Sequence, residues 1–185
     1  MPIKPVLRMG EPCLLLKAVP ITQFNTPELH ALIEDLEDTM QAMNGAGIAA
    51  PQIGVSLRVL IFGQRTNPHG EENKNPRYPD ADVVPYTVLI NPMLTPVGKE
   101  LESDWEGCLS VPGLRGIVPR YMRLHYTGFD QYGNVVDRLV SGFHARVVQH
   151  ECDHLDGIIY PMRIENLKDF GYTDIFFPGQ NIIDE

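Results

Sequence analysis

The five residues His150-Glu151-Cys152-Asp153-His154 constrain this chain more than any other stretch, because they specify a helix and what must surround it. At about 100° per residue, His150 and His154 fall only about 40° apart and one turn up a helix, so both imidazoles can reach one metal ion. Glu151 lies about 100° from His150, at the edge of that face, where a carboxylate can act as acid or base beside a metal without ligating it. The flanking pattern predicts a helix over Gly142 to Asp156, with Gly157 just past its end. Phe143 and Val147 share the ligand face, and Ala145, Val148, Cys152 and Leu155 form an apolar stripe opposite. Arg146, Gln149, Asp153 and Asp156 make the polar remainder. One side of this helix should pack on a sheet and another should line a cavity. Two histidines in an ordinary buried helix would give the same letters by chance. The isolated His30, His69, His125 and His144 are expected to be surface or satisfied core groups.

The rest of the chain must supply the packing partners. An N-terminal helix is predicted from Thr26, which can cap it, through Pro27, Leu29, Leu32, Ile33, Leu36, Met40 and Met43, with Gly45 as its stop. After the Gly-rich run Gly45 to Gly54, Val55 to Phe62 reads as a mostly apolar strand, and Thr87 to Ile90 as another. Between them, Gln64 to Pro85 is rich in proline and asparagine and reads as a surface excursion within one domain. Tyr121 to Tyr126 and Val135 to Val140 form a predicted hairpin around Asp130-Gln131-Tyr132-Gly133-Asn134. Strands outnumber helices and connect by hairpins, which favours an α+β fold of mainly antiparallel sheets packed around a central helix that carries the H-E-x-x-H motif. At 185 residues, 43% of them apolar, residues 1–185 fit a single domain, which the H-E-x-x-H motif would make a catalytic metal-hydrolase domain.

Charge and cysteine usage narrow the partners. The net charge of −9 and the absence of a Lys/Arg stripe argue against direct nucleic-acid binding. No run approaches the ~18 apolar residues of a membrane span, and the N-terminus has no long apolar signal core, so a soluble protein is expected. Cys13, Cys108 and Cys152 are too few and too scattered for a disulfide framework, which fits a reducing compartment.

A catalytic metal needs a third protein ligand. One metalloprotease class extends the motif with a later Gly and His; Gly157 matches, but Tyr160 stands where the histidine belongs. Glu165 is the main carboxylate candidate of the other protease arrangement, besides the terminal Asp184 and Glu185, with Asp169 and Asp174 as weaker ones. Cys152 points about 200° from His150 and cannot turn to the same ion. Cys108, in Glu106-Gly107-Cys108-Leu109-Ser110-Val111-Pro112-Gly113, sits in a tight Gly/Pro-flanked path that can present a thiolate and a backbone N–H together. Local sequence leaves Cys108 and Glu165 both open, and with them a metallopeptidase or a purely structural metal module.

Three segments taken together resemble the peptide deformylase family: Gly45-Ala46-Gly47-Ile48-Ala49-Ala50-Pro51-Gln52, Glu106-Gly107-Cys108-Leu109-Ser110, and Gln149-His150-Glu151-Cys152-Asp153-His154-Leu155-Asp156-Gly157. They occur in the family's order, and the resemblance covers about Pro5 to Ile164. It implies that Cys108, His150 and His154 bind one Fe(II), a site that Zn, Ni or Co can also occupy. It further implies Glu151 as catalytic acid/base, Gln52 and the Leu109 N–H as oxyanion donors, and N-formylmethionyl nascent peptides as substrates in a bacterial cytoplasm. An organelle, after removal of a transit peptide, is the less favoured location. Gly45, Ala46 and Gly47 could pair with the substrate main chain, and Phe143 and Val147, with Ala46, could line the methionine pocket. Asp153 and Arg120 are a candidate ion pair behind the ligands, although no spacing rule links them. The stretch from Phe170 to Glu185 is apolar and acidic rather than the basic helix of some relatives, which puts ribosome docking by that route in doubt and leaves a transient ribosome association as a possible partner interaction.

Overall fold

The computed structural model describes residues 3–65, 75, 78 and 81–179. Two antiparallel sheets enclose the motif helix. The five-stranded sheet has the order β1 (Gly47–Ala49), β2 (Val59–Phe62), β3 (Thr87–Pro96), β6 (Arg123–Phe129), β7 (Val135–Ser141), and the three-stranded sheet the order β4 (Leu101–Cys108), β5 (Val111–Tyr121), β8 (Phe170–Tyr172). The α+β architecture expected from the sequence is the one observed.

Helix α1 (Pro27–Ala42) covers one face of the larger sheet and α2 (Gly142–Leu155) the other. β2 explains why its sequence reads as an unbroken apolar run: Val59 and Ile61 face Leu32, Ile33 and Leu36 of α1, while Leu60 and Phe62 face Ala145, Val148 and Cys152 of α2. A strand buried on both faces has no polar side to alternate with. The expected strand from Val55 is correspondingly too long. Residues 55–58 form local backbone bonds, Val55 to Ala50 and Leu57 to Val55, and Arg58 N–H reaches Val19 instead.

The Thr26 hydroxyl accepts a hydrogen bond from Leu29 N–H and caps α1 as expected. The stop differs from the expectation. Asn44 takes the left-handed conformation (φ 53°), and Gly45 serves a close approach, since a side chain there would press on Leu109 and Met40. At the other helix, Arg58 reaches the Leu155 carbonyl and the Asp156 carboxylate at the C-terminal end of α2, where an unpaired carbonyl and the helix dipole both favour a cation.

α2 is buried nearly all round, and its polar residues are not a solvent face. Arg146 donates to the Val118 and Glu102 carbonyls, and Gln149 makes paired bonds with the Tyr121 backbone, so this flank is stitched to β4 and β5. The hairpin expected from Tyr121 is formed by β6 and β7, and Tyr121 itself ends β5. Most of the expected surface excursion at Gln64 to Pro85 lies outside the described residues, as do residues 180–185, but Asn75 and Val84 are buried and Tyr78 is half-buried.

Gly157 ends α2 at φ 74°, and a β-carbon there would sit 2.6 Å from the Leu15 carbonyl oxygen. Gly142 also has positive φ, 57°, but open space around it. Gly157→Ala should therefore lower unfolding stability by about 2 kcal/mol or more, against about 1 kcal/mol for Gly142→Ala, measured by chemical denaturation.

Candidate active site

α2 presents His150 and His154 on one face, and β4 delivers Cys108 to them. The β4–β5 ladder slips between Glu106 and Cys108, and Cys108 pairs with Val111 across the Leu109-Ser110 turn. This bulge aims the thiol at α2. The side-chain donor atoms of Cys108, His150 and His154 lie within 4.8 Å of one another, all buried, and Cys108 Sγ is 3.3 Å from His154 Nε2. An ion bound tetrahedrally at 2.0–2.3 Å requires donors about 3.3–3.8 Å apart, so one thiolate and two imidazoles in this arrangement suit a transition metal. His154 Nδ1 is buried without a hydrogen-bond partner among the described residues.

Burial alone would raise the Cys108 thiol, but the charges and hydrogen bonds of His154 and His150 outweigh it and hold the group well below its ordinary value, as a metal-ligating thiolate requires. Gln52, on the 3-10 turn Ala50–Ile53 after β1, is held by Ala49 N–H donating to its Oε1, and its Nε2 donates to Ser110 Oγ at 3.2 Å and points to Cys108 Sγ at 3.6 Å. Cys152 lies on the far side of the helix in the core, where burial pushes its thiol well up.

Glu151 is 4% exposed, and its Oε2 has no hydrogen-bond partner among the described residues. Burial, only partly offset by His150 and His154, pushes its carboxyl up to about 7, where a group can both take and give a proton near neutral pH. A β-carbon on Gly47 would come within 2.5 Å of Glu151 Oε1, so glycine there is a condition for the carboxylate's position.

The sequence reasoning missed the group that orients His150. Glu106 Oε2 accepts from His150 Nδ1 at 2.8 Å, which leaves Nε2 as the ring atom that could serve a metal ion. The same carboxylate takes a two-pronged contact from Arg120 and a third arginine contact from Arg146, all at 2.9 Å. These cations and the His150 bond overcome the desolvation that would raise Glu106 and hold it far below the usual carboxylate range. Arg120 continues to Asp153 at 2.6 Å, so the candidate pair is formed, and Arg163 adds a further contact to Asp153. The only hint in the sequence was that Glu106 lies two residues before the candidate cysteine.

Gly45, Ala46, Gly47, Leu109, Phe143 and Val147 line one cleft that opens on Cys108, His150 and Glu151. Val147 also belongs to the core around α2, so the apolar face serves both packing and the cleft. Arg146 and Tyr78 line the cleft too and were not expected there. Glu165 is exposed and borders a separate groove with Gln149 and Asp153; it does not join the three donors. Tyr160 is buried and donates to the Leu114 carbonyl. His30, His125 and His144 pair with Asn25, Asp137 and Tyr126, and His69 lies outside the described residues.

The polypeptide deformylase family model matches residues 3–170. Peptide deformylase 1 of Nitrosomonas europaea is 64% identical over 183 residues, covering 99% of both chains, and peptide deformylase 2 of Ralstonia nicotianae is 60% identical over 176 residues, covering 95% of each. Among solved structures, a class I type b peptide deformylase from Acinetobacter baumannii with Met-Ala-Ser bound superposes with a TM-score of 0.77 at 38% identity, covering 88% of this chain and all of that one. A Legionella pneumophila peptide deformylase gives 0.74 at 30%, covering 91% and 89%. With the matches spanning nearly the whole sequence, the chain belongs to the peptide deformylase family, hydrolases that act on N-formyl peptides.

Proposed function

We propose that this cleft, in a single catalytic unit, removes the formyl group of N-formylmethionyl peptides at the start of newly made proteins and releases formate, with one Fe(II) held by Cys108, His150 and His154. The observation that carries the reading is the convergence of these three donors beside a buried carboxylate, Glu151, at the end of a largely apolar cleft. Imidazole and thiolate also suit Zn, Ni and Co, so the donor set alone does not select iron, which rests on the family resemblance. An ion bound there would polarise the formyl oxygen and lower the pKa of water from about 15.7 towards neutrality.

The remaining work belongs to the chain's own residues. Glu151 takes the proton from the attacking water and returns it to the departing amine nitrogen, as its position near neutrality allows. Gln52 Nε2 and Leu109 N–H stabilise the oxyanion, each donor contributing about 3 kcal/mol. Gln52 is 1% exposed and fixed through Ala49, so little reorganisation accompanies that contact. β1 is the edge strand of its sheet and, with Gly45 and Ala46 just before it, lines the cleft, so the peptide main chain can add along its free edge as a further strand. The methionine side chain then enters between Ala46, Phe143 and Val147, in keeping with the methionine-first peptide bound in the A. baumannii relative. The expected setting is the bacterial cytoplasm, with only transient contact to the ribosome. No helix among the described residues is long and apolar enough to cross a membrane.

Glu151→Gln should retain metal and lose at least ~10²-fold in kcat for formate release; full turnover in a metal-replete variant would remove Glu151 from the mechanism. Gly47→Ala should displace that carboxylate and cost about 10²-fold in kcat with metal content unchanged. Cys108→Ala should lose metal and activity together, whereas Cys152→Ala should keep both at a stability cost of about 1 kcal/mol. Fe-loaded protein should lose activity in air faster than Ni-loaded protein, because oxygen attacks Fe(II) and its thiolate; equal decay would contradict iron oxidation as the cause.

A further inference from the structure

We propose that Tyr78, contributed by the segment between β2 and β3, is a specificity-determining residue: its ring, against Phe143, forms the wall that limits which N-terminal side chain the cleft accepts. The proposal rests on the reading above that the Ala46–Phe143–Val147 side receives the substrate's first side chain.

Tyr78 is held from several directions. Its ring centroid lies 4.9 Å from that of Phe143, tilted by 47°. Its hydroxyl accepts from Gly107 N–H at 3.2 Å, one residue before Cys108. The guanidinium of Arg115, itself 3% exposed, lies 5.1 Å from the ring centre. Tyr78 N–H donates to the Asn75 carbonyl at 3.0 Å, and the buried Asn75 amide donates to the Gly45 carbonyl at 2.9 Å. One short stretch of chain therefore grips both walls of the cleft, at Gly45 through Asn75 and at Gly107 through Tyr78.

Ala46, Tyr78 and Phe143 line the catalytic cleft and also a second, smaller cavity adjoining it, bounded by Asn75, Val83 and Val84. The two aromatic rings thus stand on the boundary common to both spaces, where they can act as a partition. An unbranched methionine side chain fits a slot of limited width, whereas an aromatic one needs the partition to yield. The tilted ring contact, the hydroxyl bond and the arginine contact all resist that movement. Removing the Tyr78 ring joins the spaces, and replacing it with phenylalanine keeps the wall while deleting the Gly107 bond.

The test compares kcat/KM for formyl-Met-Ala-Ser and formyl-Phe-Ala-Ser, with metal content, in wild type and in Tyr78→Ala, Tyr78→Leu and Tyr78→Phe. The phenylalanine-to-methionine ratio should rise at least about tenfold in Tyr78→Ala, rise less in Tyr78→Leu, and stay within about threefold of wild type in Tyr78→Phe. A ratio unchanged in metal-replete Tyr78→Ala and Tyr78→Leu overturns the proposal. Loss of metal in all three variants would also overturn it, assigning Tyr78 to holding the Cys108 turn instead. Failure of the wild type to release formate from formyl-Met-Ala-Ser would refute the deformylase reading itself, which separates the two failures.

Discussion

A carboxylate taken out of water costs several kcal/mol unless every lone pair finds a partner, and removing one partner of a buried ion pair typically costs about 3–5 kcal/mol. Glu106 is 2% exposed and meets that condition through Arg120, Arg146 and His150 together. It sits on β4, and Arg146 and His150 sit one turn apart on α2, so the contact joins the three-stranded sheet to the helix and fixes the tautomer of a donor imidazole at once. Cys108 follows two residues later on the same strand. The distance between the thiol and the two imidazoles is therefore set by the seam around Glu106 rather than by the three donors themselves.

The helix at this seam has two kinds of buried surface. Its apolar stripe packs on Leu60, Phe62 and Tyr126, where close fit decides the energy. Its other flank is polar and equally buried, and there each group needs a directed partner, which β4 and β5 provide through carbonyls and Glu106. Glu151 and His154 Nδ1 are exceptions, and for Glu151 the consequence is electrostatic. Left without a partner among the described residues, it keeps a raised carboxyl pKa that a hydrogen-bonded neighbour would otherwise lower.

How much of this was legible in the sequence follows from the range of each signal. α1 and α2 were readable because helical spacing and capping are local, and His150, Glu151 and His154 were readable because one turn of helix brings them together. β1 was missed: three residues next to glycines carry too little period to register. β4 and β5 were missed because Pro112, Pro119 and three glycines, with Glu102 and Asp104 on an exposed stretch, contradict strand propensity that pairing then overrides. Cys108 became distinguishable from Glu165 only through the family resemblance, since no periodicity links a β-bulge to a helix. The partners of Glu106 on α2 and the inward reach of Asn75 and Tyr78 left no trace for the same reason, the latter pair hidden in a stretch whose prolines and asparagines read as surface.

The most direct test of the proposed centre is X-ray absorption on protein loaded with one zinc per chain, with formate release from formyl-Met-Ala-Ser followed on the same sample. One sulfur scatterer at about 2.3 Å and two imidazole nitrogens at about 2.0–2.1 Å, with formate as the product, are expected. A shell containing no sulfur, or release of a free amino acid in place of formate, would contradict a Cys108–His150–His154 deformylase centre.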